Sequence, residues 1–534
     1  MRLNPGRVAR LLACSLVIAG CGGGDSSSTP PPPNPPPAGN GFTYTRGVFQ
    51  PAANFAAQCR VPRTGTNPTS GRAYPDRAGS TTAENYWLRS WTNDLYLWYS
   101  EVPDLDPSLT NDTQAFFDLL KTSAVTPSGA PKDKFHFIYD TVAWVALSTS
   151  GQSTGFGIEW EVVRPTPPRS VIVRYVEAGS VAAAAGIVRG MQVTSADNID
   201  VVNDNTQNGV NTILEALYPD SPGPHLFTFT GAATITTTLT ADAVTSNPVP
   251  LTSTIDTASG KVGYLLFTSH IATAEPRLVT AINTLKAAGI QDLVLDLRYN
   301  GGGFLDLASE LAYMIAGPAQ TAGKTFELLQ FNAKHPVNDP IAGSRITPLP
   351  FHGTTQGFQG ASGQALPNLG LTRVYVLTSA ETCSASESII NGLKGAGVAV
   401  HQIGLTTCGK PYGFYPQDNC GTTYFSIQFR GVNEQGFGDY ADGFSAARTA
   451  ATGDPRANLP GCAARDDLAR QLGDPSEELL RVALTYRQNG TCTPIIPLAA
   501  DTDGRKQAAQ AASGEGGAAL VPPVQPWSNN RILR

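Results

Sequence analysis

At 534 residues the chain has length for three or four domains at about 150 residues each, and enough to bury a large core. Charged residues make up 15%, against roughly 25% in an average protein, and the net charge is −6. With no basic stripe, the composition excludes a nucleic-acid partner.

Arg2, Arg7 and Arg10 precede a short apolar segment, Leu11 to Gly20, which ends at Cys21. That is the pattern of an export signal. Ile18-Ala19-Gly20-Cys21 resembles a bacterial lipobox, which implies cleavage before Cys21 and lipidation of its thiol. Gly22 at the next position resembles proteins of that system sent to the outer membrane. The expectation is a lipid-anchored protein of the bacterial cell envelope, facing the periplasm. Residues 1–21 are then the signal, and 22–41, rich in Pro, Gly and Ser, a tether too polar to fold. No later apolar run reaches the 18 residues that a membrane helix needs.

Of eight cysteines, six follow Cys21: Cys59, Cys383, Cys408, Cys420, Cys462 and Cys492. An even number in an exported chain favours disulfides, although sequence does not choose among the connectivities. Short loops favour Cys408 with Cys420 and Cys462 with Cys492.

Residues 42–148 open irregularly and turn helical from Glu84, where Trp87, Trp91, Leu95 and Trp98 share one helical face and predict core. A second helix is expected near Thr113 to Lys121. Residues 149–245 alternate short strands and glycine turns: Gly155-Phe156-Gly157-Ile158, a strand to Val163, a strand over Ser170 to Tyr175, a helix face of Val210, Ile213, Leu214 and Leu217, then strand over Leu226 to Thr240. This order resembles a PDZ domain. The resemblance implies that Gly155, Phe156, Gly157 and Ile158 bind a peptide's terminal carboxylate through their N–H groups while the next strand pairs with the peptide.

Residues 250–495 read as strand, helix, strand, glycine turn, helix: Lys261 to Phe267, Glu275 to Ala288, Gln291 to Arg298, Tyr299 to Gly303 and Leu305 to Ile315. The turn lacks a Gly-Lys-Ser/Thr at Walker spacing, which argues against a phosphate site. Further on, the strand Thr372 to Thr378 hands over through a small-residue turn to a helix beginning at Ser384, with Glu387 three residues on as in a capping box. That position exposes a hydroxyl beside free N–H groups and the positive helix end. A strand over Gly397 to Ile403 completes a β-α-β unit, and the right-handed crossover makes the two strands parallel. It delivers Thr407-Cys408-Gly409-Lys410, so Ser384 and Lys410 can meet. Residues 496–534, rich in Ala, Gly and Pro, predict a loose tail, with Trp527 and Ile532-Leu533 as the parts suited to dock back.

Thr382-Cys383-Ser384-Ala385-Ser386-Glu387 and Thr407-Cys408-Gly409-Lys410 resemble the nucleophile and base motifs of the C-terminal processing peptidases, or tail-specific proteases. Asp296-Leu297-Arg298-Tyr299-Asn300-Gly301-Gly302-Gly303 is similar to a third motif of that family. The resemblance implies a small helical N-terminal domain over 42–148, a PDZ-like β-rich domain over 149–245, and a crotonase/Clp-protease-like α/β catalytic core over 250–495. Residues 496–534 form the tail. It also implies a serine endopeptidase acting on polypeptides with free C-termini, with Ser384 as nucleophile and Lys410 as base. The oxyanion hole combines the N–H of Ala385 with that of Gly301 or Gly302. Asp296 and Arg298 are expected to pair and hold the turn.

Two departures stand out: Cys replaces an apolar residue in both dyad motifs, and a Gln that orients the Lys in some relatives is Phe414 here. An ordinary Lys is almost wholly charged at neutral pH, so the base reading needs an apolar pocket, expected from Ile389, Ile390, Val398, Val400 and Phe414. A Ser-His-Asp triad through His270 or His401 is the rival chemistry. A silent PDZ-type binding lipoprotein and a crotonase-like acyl-transfer enzyme or esterase are the rival functions. No His, Cys or Glu cluster has metal-ligand spacing, so neither metal nor cofactor is expected.

Overall fold

Asp292–Asp296 is buried at all five positions, as a parallel strand covered on both faces must be. In the computed structural model, which describes residues 42–67, 70–446, 454–492, 518–522 and 530–532, it lies inside a six-stranded sheet. The strand order is Leu251–Ile255, Val262–Leu266, Asp292–Asp296, Arg373–Thr378, Ala399–Gly404 and Gly461–Cys462. Only the first pair is antiparallel. The expected β-α-β unit is present: Arg373–Thr378 and Ala399–Gly404 are parallel neighbours, with Val374 opposite Val400.

Alternation along the strands splits the core in two. Leu293, Leu295, Val374 and Val376 meet the helices Ala274–Ala287, Leu305–Ala316 and Ala385–Gly395 on one face. Val294, Tyr375 and Leu377 meet the helix Glu478–Asn489 on the other. Helix and strand bounds fall within a few residues of those expected.

Between residues 152 and 245 a second sheet forms, ordered Gln152–Gly155, Ile235–Thr245, Gly223–Thr230, Gln192–Ala196, Ser170–Val176 and Ile158–Arg164, with Ile199–Asp200 added beside Gln192–Ala196. The helix Gln207–Leu217 buries Val210, Ile213 and Leu217 against Phe227 and Phe229, while Leu214 is only half-buried.

The helix Thr81–Leu95, capped by Ser80, buries Trp87 and Trp91 stacked at 5.2 Å. Trp98 lies beyond its end, edge-on to Tyr412 at 4.7 Å, because the helix stops at Leu95. The second helix is shorter than expected, Thr113–Asp118. This region shares its core with the rest: Tyr424 packs in the Trp cluster and Phe137–Asp140 pairs antiparallel with Thr422–Phe425. A Cys59–Cys420 disulfide ties the two across 361 residues. That bridge corrects the expected Cys408–Cys420 pairing, since the chain folds back to bring Cys59 within reach while Cys408 pairs with Cys383; Cys462–Cys492 is as expected.

The tail is not loose throughout. Leu520 is fully buried in the core of the second sheet, and Asn530–Ile532 forms a parallel strand beside Gly302–Phe304. Trp527 and Leu533 lie outside the described residues, as does everything up to residue 41, Cys21 included. Among the described residues no helix is long and apolar enough to cross a membrane.

Candidate active site

Ser384 sits at φ 60°, ψ −115°, a conformation that side chains disfavour and that costs on the order of 1–3 kcal/mol unless its surroundings enforce it. They do. Thr382 Oγ1 donates to Leu297 O at 2.9 Å, the Cys383 N–H to Asn300 O at 3.1 Å, and Ser386 Oγ to the same carbonyl at 2.9 Å. The turn after Arg373–Thr378 is thus bound to the turn after Asp292–Asp296, which carries Gly301 and Gly302. Ser384 is wholly buried, and among the described residues its Oγ meets no hydrogen-bond partner. Ala385 opens the helix Ala385–Gly395, where the first N–H groups lack intrahelical acceptors.

Lys410 arrives on the loop after Ala399–Gly404 and is also wholly buried. Its Nζ lies 4.3 Å from the centre of the Phe414 ring and 4.8 Å from that of Phe135. The pocket therefore differs from the expected one: Ile389, Ile390, Val398 and Val400 belong to the sheet's main core, and only Phe414 of the five reaches the amine. Phe135 comes from the N-terminal region, whose contribution to the pocket no local pattern announces. Burial holds the Lys410 amine well below the usual lysine range, with the charges of Asp133 and Glu387 opposing it. Asp133 is itself buried and accepts from the Tyr96 hydroxyl at 2.6 Å.

Glu387 does more than cap a helix. Its buried carboxylate accepts from the N–H groups of Ser384 at 2.9 Å, Gly409 at 2.9 Å and Lys410 at 2.8 Å, and from the Thr407 hydroxyl. One side chain joins the backbone of the Ser384 turn to that of the Lys410 loop. The Cys383–Cys408 disulfide joins the same two loops covalently. The only cluster with metal-like spacing among the described residues, Cys383, Glu387 and Cys408, is thereby accounted for, because bridged sulfurs are not thiolate ligands.

In the glycine turn, the Gly302 N–H donates to Asn300 Oδ1 at 3.0 Å, and the same oxygen lies 2.9 Å from His270 Nδ1. Burial pushes His270 down to about 3, leaving a neutral ring engaged with Asn300. His401 stacks on Tyr375 at 4.9 Å and faces Tyr486 of the helix Glu478–Asn489. Neither histidine bonds Ser384. As expected, Arg298 holds the turn: its Nε donates to Asp296 at 3.0 Å, and its two terminal nitrogens reach Glu477 at 2.7 and 2.9 Å.

The second sheet is clamped to this site. Arg174 of Ser170–Val176 donates to both oxygens of Glu381, at 2.7 and 2.8 Å, three residues before Ser384. Arg189 donates to Tyr299 Oη at 2.7 Å, beside the glycine turn. Gly155, Phe156, Gly157 and Ile158 lead from one strand of the second sheet to another, on neither the Ser384 turn nor the Lys410 loop. Phe156 is buried in that sheet's core, and Gly157 has φ 76° with no room for a side chain, since a Cβ would lie 2.3 Å from Ser180 Cβ.

Residues 261–413 match the family model "Peptidase family S41", and residues 83–135 match "Peptidase S41 N-terminal domain". A carboxyl-terminal-processing protease of Picosynechococcus sp. is 31% identical over 173 residues, 31% of this chain and 39% of that protein. Carboxyl-terminal-processing peptidase 2, chloroplastic, of Arabidopsis thaliana is 31% identical over 176 residues, 31% of this chain and 32% of that one. The chain thus spans well under half the length of these relatives. The crystal structure of a putative S41 protease from Bacteroides fragilis aligns with a TM-score of 0.57 at 22% identity, covering 78% of this chain and 98% of that one, and so shares its fold.

Proposed function

We propose that this chain, which carries the peptidase family S41 domain and its N-terminal companion, is a serine endopeptidase that cleaves exported polypeptides selected by their C-terminal tails. The observation that carries the reading is a strained, buried Ser384 joined through Glu387 and a disulfide to a loop whose lysine is buried among aromatic rings. Neutral Lys410 takes the Ser384 hydroxyl proton as Oγ attacks the scissile carbonyl. Because the Gly302 N–H is engaged by Asn300 Oδ1, the N–H of Ala385 and that of Gly301 are the proposed oxyanion donors, and each such donor is worth roughly 10²–10³ in rate. The C–N bond breaks as the amine leaves with the proton, and water then hydrolyses the acyl-enzyme with Lys410 again as base.

The loop Gly155–Ile158 is the proposed carboxylate clamp, and Cys21 the proposed lipid anchor in the outer membrane. Selection by C-terminus agrees with the names of the relatives. A binding protein without activity has no use for a strained serine tied through Glu387 and a disulfide to the loop of a desolvated lysine. The test is digestion of one unfolded polypeptide carrying different C-termini, by the native chain and by Ser384→Ala. Cleavage that depends on Ser384 and varies with the terminus supports the reading; equal cleavage by both proteins overturns it.

A further inference from the structure

The backbone of Gly302–Phe304 is a two-edged strand next to the nucleophile. One edge is filled from within the core: the His270 N–H donates to Gly302 O at 3.0 Å, and the Phe304 N–H to His270 O at 2.9 Å. By strand alternation the N–H and C=O of Gly303 then face the other edge. That edge is filled by Asn530–Ile532, in parallel register, with Gly302 opposite Asn530, Gly303 opposite Arg531 and Phe304 opposite Ile532. The same segment comes within 8 Å, Cα to Cα, of the Ser384 helix and of Tyr412–Gly413, just past Lys410. It therefore adds a strand between the nucleophile helix and the base loop.

A second anchor lies upstream. The Leu520 N–H donates to Pro165 O at 2.9 Å, the Ala518 N–H to Asn205 O at 3.3 Å, and Ala518 O accepts from Arg169. Arg169 is buried, and its other bonds also go to backbone carbonyls, of Pro165, Val201 and Asp204. Leu520 completes the core of the second domain. Fixing Leu520 there, ten residues before Asn530, holds the last strand at a high effective concentration beside the site, in the millimolar range for short tethers.

We infer that Asn530–Ile532 is a built-in competitor: the edge of Gly302–Phe304 binds an extended peptide strand, and in the resting protein that strand is the chain's own. Main-chain pairing of this kind gives affinity with little demand on side chains, which suits a site that must accept many polypeptides. Ser384 and Lys410 have no exposed surface in this state, so a substrate needs an opening, and displacing the segment from its edge supplies one. The inhibitory role rests on the peptidase reading; the docking does not.

Two variants test it, removal of residues 530–534 and Ile532→Pro, which deletes one N–H from the added strand. Each should lower KM for an unfolded polypeptide, by roughly tenfold if the segment fills the site about nine times in ten, with kcat little changed. A synthetic peptide spanning 525–534 should inhibit the truncated chain competitively. The same peptide, fluorescently labelled, should bind truncated Ser384→Ala protein and bind the full-length Ser384→Ala protein more weakly. Cleavage with unchanged KM in both variants overturns the inference and leaves the peptidase reading standing. Peptide binding without cleavage by any form upholds the docking and overturns the peptidase reading. No binding to the truncated protein overturns the docking.

Discussion

Lys410 is where burial has two opposed consequences. Its amine is desolvated among Phe135 and Phe414, which favours the neutral form that a base needs and makes the fold dearer to form. Activity should rise with pH along one limb set by the depressed lysine value, because only the neutral amine accepts a proton. Lys410→Ala should cost roughly 10²–10⁴-fold in kcat, the usual contribution of a general base, with the Ser384→Ala, Lys410→Ala pair no worse than Ser384→Ala alone. Lys410→Arg should fail as well, since a guanidinium stays protonated.

For stability the unfolded lysine, near 10.4, binds its proton more readily than the folded one. Stability therefore rises with pH between the depressed value and about 10.4. Lys410→Met should raise the melting temperature at pH 7, and the gain should shrink as pH approaches 10; a variant that melts lower at pH 7 contradicts a desolvated lysine. The sequence made Ser384 and Lys410 legible through their motifs. Phe135 and Asp133 were not, because they reach the amine through tertiary packing alone, and Glu387 read as a helix cap although most of its partners lie in a loop more than 20 residues away.

At the scale of elements, loops are held by devices that titrate or reduce. Glu275 and Glu310, both buried, accept from the N–H groups of the loop that follows Thr354: Gln356 donates to both at 2.8 Å, and Gly357 and Phe358 donate to Glu275 at 2.9 Å. Phe358 in turn packs on Phe304 at 4.9 Å, at the end of the glycine turn. Burial and the neighbouring Glu275 push Glu310 up to about 9. A carboxyl raised this way contributes stability that is complete below the unfolded value near 4.5 and is lost as pH rises through 9. Glu310→Gln should thus melt higher than the native chain at pH 8, on the order of a few °C, and no higher at pH 4. An equal difference at both pH values contradicts the raised Glu310 carboxyl.

The Cys383–Cys408 bridge closes a loop of 25 residues, for which chain entropy suggests about 3 kcal/mol. Mild reductant should lower kcat before the near-ultraviolet signal of the folded core is lost. Mass mapping that finds both cysteines as free thiols removes the link. The elements themselves were legible from apolar periodicity, including the parallel neighbours around the Ser384 helix. The disulfide partners were not, because loop length favours near cysteines while the fold brings Cys59 to Cys420 from opposite ends of the chain.

For the whole molecule, the N-terminal residues and the second sheet are bound to the rest by shared core and buried charge. Arg174 and Arg189 fix the second sheet to Glu381 and Tyr299, in the turns that precede Ser384 and Gly301. A bulky side chain in the Gly155–Ile158 loop should therefore act on choice of substrate before chemistry. Gly157→Val, forced into a left-handed conformation against Ser180, should weaken selection by C-terminus more than hydrolysis of a short peptide; equal loss of both contradicts a separate clamp. The docking expected at Ile532 is present, but its form was not legible, because three backbone pairings at Asn530–Ile532 leave no side-chain pattern that names Gly302–Phe304 as the partner.

The central claim is that Ser384 is activated by Lys410. The most direct test is the rate at which a fluorophosphonate labels the chain across pH, with the site mapped by mass spectrometry in native, Lys410→Ala and His401→Gln proteins. The account predicts a single adduct on Ser384 whose rate rises along one limb, is lost in Lys410→Ala and is kept in His401→Gln. Labelling of Ser384 at the native rate in Lys410→Ala, or its loss in His401→Gln, contradicts it.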